Sequence, residues 1–276
     1  MAGYASEADQ LERGLRAAFE TLMPLVDQGR VSVREGYRVL ISPRTPFPPF
    51  CGIWVDDPAQ DAQIARELGA AVAEVEAAGT PCFVQVIQDR CPHMTAAAAE
   101  LGLTQRGRVV GMVTAPSGVR DAPAAAVSVR RVDEEEGLRL ALDVAAAGFG
   151  SPAEMIDVLY TPRILSAPGV SFYLAKVDGE PVATGVGCTF EGLVGVYSVA
   201  TPPEHRRRGY GSAVVAQIVA DGFAAGAQLA YLQASAMGAS VYAKLGFRRV
   251  LDWDWLTRPE PHRPGDVTPA ARPRAP

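Results

Sequence analysis

Histidine is scarce in these 276 residues: there are three, beside four cysteines, Cys51, Cys82, Cys91 and Cys188. No two cysteines have C-x-x-C spacing, and Cys91-Pro92-His93 has no second clustered ligand. A metal site and a disulfide framework are therefore not expected, and buried free thiols are. A basic excess is lacking too. With 26 Lys and Arg against 31 Asp and Glu the net charge is −5, whereas a dedicated nucleic-acid binder would be basic overall or along one long face. No apolar run reaches the roughly eighteen residues of a membrane span, and the opening stretch MAGYASEADQLERGL is polar and acidic, unlike a signal peptide. What is left is a cytoplasmic globular chain. Its apolar content of 48% supplies one large core or two smaller ones, and the length favours two.

Taken in order, Leu11, Leu15, Phe19 and Leu22 mark an amphipathic helix closed by Pro24 and Gly29. Residues 31–41 alternate like a strand, 43–49 form a proline-dense loop, and 50–55 are a short apolar strand. Ile64, Leu68, Val72 and Val75 recur at helical spacing until Gly79; residues 82–87 then read as a buried strand, 95–101 as a short helix and 108–113 as a strand. The stretch 114–126, rich in Pro, Ala and Gly, is the natural linker. After it come a strand at 127–132, a helix from Glu134 to Ala147 with Gly148 at its end, and a capping-box start, Ser151-Pro152-Ala153-Glu154, opening a second helix towards Leu165. Strands at 172–177, 182–190 and 193–199 form a meander, the first two joined by Asp178-Gly179. The second leaves Ala183, Gly185 and Gly187 as an almost bare face, open to close approach by a helix or ligand. The proline-dense stretch after Arg258 is expected to be disordered. Strand, helix, strand, short helix, strand occurs at 50–113 and again at 193–255, which reads as an internal duplication.

The chemistry concentrates in the second occurrence. A strand ending Ser198-Val199-Ala200 is stopped by Thr201-Pro202-Pro203, and Arg206-Arg207-Arg208-Gly209-Tyr210-Gly211-Ser212 then opens directly into an amphipathic helix. A helix start offers free N–H groups and partial positive charge, and two glycines let neighbouring amides turn inward, so the loop suits a phosphate or pyrophosphate. A solvated basic turn is the plainer alternative. The loop is neither the dinucleotide fingerprint nor a P-loop, which need other glycine spacings or Gly-Lys-Ser/Thr.

R-x-x-G-x-G, here Arg206, Gly209 and Gly211, resembles the acyl-CoA pyrophosphate loop of the GNAT superfamily of N-acetyltransferases. Val241-Tyr242-Ala243-Lys244-Leu245-Gly246-Phe247 resembles that family's LYxKxGF segment. The resemblance implies an α+β fold with a mixed sheet: two GNAT-like domains, each a mostly antiparallel twisted sheet flanked by helices. It places a degenerate copy at 1–120, a catalytic copy at 121–258 and a proline-rich tail at 259–276. It further implies acetyl-CoA as acyl donor and an amine as acceptor, in a monomer or homodimer, and the composition leaves no metal, nucleic acid or membrane to be expected beside them. Arg206, Arg207, Arg208, Gly209, Tyr210, Gly211 and Ser212 would hold the diphosphate. Val199, Ala200 and Thr201 would pair with the pantetheine arm and polarise the thioester carbonyl. Tyr242 would protonate the departing thiolate.

Two departures from the family pattern stand out. Ser235 occupies the place of a frequent asparagine, where its hydroxyl would make a lesser contact with CoA and keep it among the cofactor-binding residues, and no carboxylate lies within 193–199, where some members keep a base. Glu191, Glu204, Asp252 and Asp254 are nearby acids, none of them singled out. In the first copy Ala98 stands for Tyr242, and Asp56-Asp57-Pro58-Ala59-Gln60-Asp61 stands for the Arg/Gly loop, where carboxylates would repel a diphosphate. That copy is expected to act as scaffold, pocket wall or internal partner. The competing reading is a non-catalytic CoA-binding or regulatory module.

Overall fold

The first helix begins where side chains can satisfy its free amides. In the computed structural model, which describes residues 6–44, 50–120, 127–235 and 238–259, α1 (Glu7–Leu22) opens on a capping box. The Ser6 hydroxyl accepts from the Asp9 amide at 3.1 Å, and the Asp9 carboxylate accepts from the Ser6 amide at 3.0 Å. The expected strand at 31–41 is a hairpin, β1 (Arg30–Arg34) and β2 (Tyr37–Ile41), turned at Glu35-Gly36 with Gly36 at φ 78°. β3 (Gly52–Val55), α2 (Asp61–Ala77), β4 (Phe83–Ile87), α3 (Pro92–Glu100) and β5 (Gln105–Thr114) follow as anticipated, with small shifts at the ends.

Past the linker come β6 (Ser128–Val132) and α4 (Glu135–Phe149), which continues through Gly148 to a left-handed Gly150. The second helix expected from Ser151 does not form, and no capping box is made there. Two short 3-10 turns, Ala153–Met155 and Asp157–Leu159, precede the four-residue α5 (Pro162–Leu165). The backbone leaves helical geometry first at Ile156 (φ −126°) and again at Tyr160 (φ −114°), and Pro162 then drives Thr161 into an extended conformation at φ −107°, ψ 152°. The meander is β7 (Val170–Val177), β8 (Glu180–Phe190) and β9 (Leu193–Ala200); α6 (Tyr210–Ala224), β10 (Leu229–Ser235), α7 (Ala239–Lys244) and β11 (Arg248–Thr257) complete the chain. Most of the proline-dense loop, part of the linker and most of the tail lie outside the described residues.

Among the described residues, the eleven strands form one sheet, ordered β1-β2-β3-β4-β11-β5-β10-β9-β8-β7-β6. β3 runs parallel to β4 and β9 parallel to β10; the other neighbours are antiparallel. The centre is an exchange. β5, from the first occurrence of the repeated order, pairs with β10 from Thr114↔Ala230 to Val109↔Ser235. β11, from the second, pairs with β4 from Trp253↔Ile87 to Leu256↔Val84. β5 and β11 also pair with each other, so each half lends its last strand to the other.

The alternation of the strands divides the core into two faces. On one, α2 and α3 bury Ile64, Leu68 and Met94 against Val84, Val86 and Leu256, while α6 buries Val214, Ile218 and Val219 against Val194, Val196 and Leu232. The bare side of β8 is where α6 fits: a Cβ on Gly185 would lie 2.7 Å from Val214 Cγ1. On the opposite face, α4 packs on Phe172, Leu174 and Cys188, and α1 packs on Leu193, Tyr231 and Trp253. All four cysteines are buried thiols outside any disulfide, and burial pushes those of Cys51, Cys82 and Cys188 up to about 12 and that of Cys91 to about 11.

Candidate functional site

β9 makes the site by leaving the sheet on one side only. Its pairing with β10 runs from Leu193↔Leu229 to Val196↔Leu232 and stops, while β10 continues along β5. On the other side β9 stays paired with β8 as far as Ala200↔Thr184. Residues 197–200 therefore carry a free edge facing the gap where the two parallel strands part. A bulge sits on that edge: Ser198 and Val199 together oppose Gly185, and Ser198 takes a left-handed φ of 49°. Such a conformation costs a serine about 1 kcal/mol and re-aims the amides that follow.

The loop expected to hold an anion begins just beyond. α6 has no side-chain cap. Its first internal bond is from the Ala213 amide to the Gly209 carbonyl at 3.0 Å, and the last loop amide engaged before it is that of Arg206, bonded to Pro203. Among the described residues, no acceptor meets the amides of Arg207, Arg208, Gly209, Tyr210, Gly211 and Ser212. The turn that gathers them depends on positive φ at Arg207 (63°) and Gly209 (85°). Gly211 then seats the helix on the end of β9, since a Cβ there would lie 3.2 Å from Thr201 Oγ1 and 3.7 Å from Val199 Cγ1. The Tyr210 ring lies 6.5 Å from the His205 ring, so this residue offers the loop its amide.

The three arginines are not alike. Arg206 is occupied: its Nε donates to the Thr201 carbonyl at 3.0 Å and an Nη to the Gly148 carbonyl at 2.7 Å, tying the loop to the last turn of α4. Arg207 and Arg208 are exposed and, among the described residues, make no ion pair. Ser235 is occupied as well, its hydroxyl accepting from the Gly238 amide at 3.1 Å just before α7.

Beside the free end of β9 lies a cavity of about 630 Å³. It occupies the face covered by α1 and α4 and continues through the gap between β9 and β10, where Ser198, Val199 and Tyr242 of α7 join its wall. The Tyr242 ring rests 6.1 Å from that of Phe247, and burial raises its phenol above the ordinary tyrosine range. The structure thus brings Val199, Gly211 and Tyr242 to one place through the free end of β9. The four nearby acids lie elsewhere. Glu191 pairs with Arg13 at 3.3 Å, Glu204 is exposed, and Asp252 and Asp254 point to the sheet face opposite Trp253 and Trp255, beside Arg249 and Arg106.

Residues 139–247 match the acetyltransferase (GNAT) family model. That segment is a GNAT domain. Its matched range takes in the bulge, the loop and Tyr242 and stops short of β11. A GCN5-related N-acetyltransferase from Kribbella flavida shares the fold over 90% of this chain and 96% of its own, with a TM-score of 0.67 and 20% identity. A functionally unknown conserved protein from Staphylococcus epidermidis does so over 86% and 97%, with a TM-score of 0.63 and 15% identity. A tandem GNAT protein from the clavulanic acid biosynthesis pathway, solved without AcCoA, covers 83% of this chain and 82% of its own, with a TM-score of 0.55 and 17% identity. No curated protein matches the chain.

The cavity wall beyond the GNAT domain was not foreseen residue by residue. Phe19 and Leu22 of α1, Phe50 and Trp255 all line it. Trp255 reaches it only because β11 sits between β4 and β5, where its indole N–H donates to Gln85 at 2.7 Å and Gln233 donates to the same oxygen at 3.2 Å. In the first copy each acid of the corresponding loop has a structural partner. Asp56 takes the buried Arg38 in a two-pronged pair, Asp57 accepts from the Ala59 amide, and Asp61 accepts from the His93 and Met94 amides at the start of α3.

Proposed function

We propose that this chain is an acetyl-CoA-dependent N-acetyltransferase, residues 121–258 being the catalytic copy, 1–120 the degenerate one and 259–276 a tail outside both. The observation that carries the reading is the run of six unpartnered amides from Arg207 to Ser212 beside the free edge of β9. Those amides, with the charges of Arg207 and Arg208, suit the diphosphate. The edge from Val199 to Thr201 suits the amide groups of the pantetheine arm, and an amide freed by the bulge suits the thioester carbonyl as an oxyanion donor. Tyr242, held protonated by its surroundings, is suited to hand its proton to the leaving thiolate. Arg206 and Ser235 act in this reading by holding the loop and the start of α7. Phe19, Leu22 and Phe50 give the first copy its part, as a wall of the acceptor site.

The test is calorimetric titration with acetyl-CoA. Gly209→Asp and Gly211→Glu put bulk and negative charge among the amides, and each is expected to weaken binding by more than about 100-fold in a protein whose circular dichroism is unchanged. Wild-type affinity in both variants would reject the loop as the diphosphate site. Thiol release with a mixed panel of amines separates an enzyme from a module that binds CoA without transferring its acyl group.

A further inference from the structure

The cavity also constrains the acceptor, on the reading that acetyl-CoA enters along β9. Of the described residues that line it, none carries a charge. Rings and aliphatic chains make up most of the wall: Phe19 and Leu22 from α1, Phe149, Leu159, Phe172 and Trp255. The polar exceptions are neutral. Gln233 gives its amide N–H to Gln85 and, among the described residues, has no donor on its carbonyl oxygen. The Tyr160 hydroxyl, on a residue only 7% exposed, has no hydrogen bond of normal geometry. Burial raises its pKa and the neighbouring Ser198 offsets little of that.

We infer that the acceptor is an amine uncharged at neutral pH, of the arylamine class, carried on an apolar ring body that fills this cavity. An alkylammonium ion would have to leave water for a wall that offers it no carboxylate, a placement that strongly disfavours the charged form. It would also have to shed a proton before attacking, with Glu191, Glu204, Asp252 and Asp254 all outside the cavity. A neutral amine needs neither. Its lone pair attacks the thioester carbon, the C–S bond breaks, and the thiolate takes the Tyr242 proton. The nitrogen, left with one hydrogen too many, returns one to the tyrosinate through water. Amine and acetyl thioester become amide and thiol with no net proton released, so the phenol serves both transfers and no separate base is required. The volume of about 630 Å³ accommodates a fused ring pair. The Tyr160 hydroxyl and the Gln233 oxygen are available to a polar substituent on it.

The experiment uses the full chain, acetyl-CoA and a matched pair of probes: naphthylamine, neutral near pH 7, and naphthylmethylamine, cationic there. Naphthylamine is expected to release thiol with a kcat/KM that stays level from about pH 6 to about pH 9 and exceeds that of naphthylmethylamine at neutral pH by at least about 10-fold. Tryptophan fluorescence should report naphthylamine binding without acetyl-CoA, weakened about 5-fold or more by Leu22→Trp, which thickens the wall that α1 supplies. Faster turnover of naphthylmethylamine at neutral pH, or failure of naphthylamine to bind, overturns the inference while leaving the acetyltransferase reading intact. Binding of naphthylamine by a protein that shows no affinity for acetyl-CoA supports the uncharged cavity and defeats the acetyltransferase reading instead.

Discussion

Glu12 ties stability to pH. Burial in α1 pushes its carboxyl up to about 7; Arg16 works against this, and Asp56 and Asp9 add to it. The folded state therefore holds a proton that the unfolded chain gives up near its ordinary value of about 4.5. That contribution to stability is complete below the lower value and is lost as pH rises through the upper one. Glu12→Gln is predicted to stabilise the protein by about 2 kcal/mol at pH near 8 and by almost nothing at pH near 4, readable as a melting-temperature gap that closes on acidification. Tyr242 is raised too, so the phenol should stay protonated through the whole neutral range. Tyr242→Phe is predicted to lower kcat about 100-fold and to change the acetyl-CoA Kd by less than about 2-fold, and a normal kcat would remove it from the mechanism.

At the scale of elements, the loop between β9 and α6 separates two kinds of arginine. Arg206→Met removes bonds to the Thr201 and Gly148 carbonyls. It is predicted to cost about 1–2 kcal/mol of stability together with affinity for acetyl-CoA. Arg207→Ala, by contrast, should leave the melting temperature alone and weaken acetyl-CoA a few-fold, an effect that salt erases. The sequence could not divide them, because three adjacent arginines look the same until the end of α4 comes near one of them. The loop itself was legible, since its proline stop, its glycines and the helix behind them are local signals. The bulge at Ser198 was not: a serine carries no mark of the left-handed conformation that the register against β8 imposes. The segment after Ser151 misled because its capping letters are helical, while the chain turns out of helical geometry at Ile156 and Tyr160 with no local letter to mark it, and Pro162 bars only a later restart at Thr161.

For the whole molecule, the repeated order of elements could be read from the chain, but the exchange of β5 and β11 could not, since pairing partners are set by three-dimensional closure and not by any local pattern. The exchange predicts how the chain responds to cutting. With a protease site placed within residues 121–126 and cleaved, the two pieces should still travel as one particle in size-exclusion chromatography, held by β4 with β11 and by β5 with β10. A chain ending at Phe247 loses β11 from between β4 and β5 and exposes both as edges, so it should be recovered as aggregate. Pieces that part on cleavage would show that the exchanged strands do not hold the halves together.

Because β11 comes last in chain order among the described strands, the edge of β4 waits for its neighbour until the second half has been made, and the contact between Gln85 and Trp255 spans 170 positions of chain. Neither half reaches its final state while the other is still being translated, and the hollow that Trp255 helps to enclose is among the last features to be built.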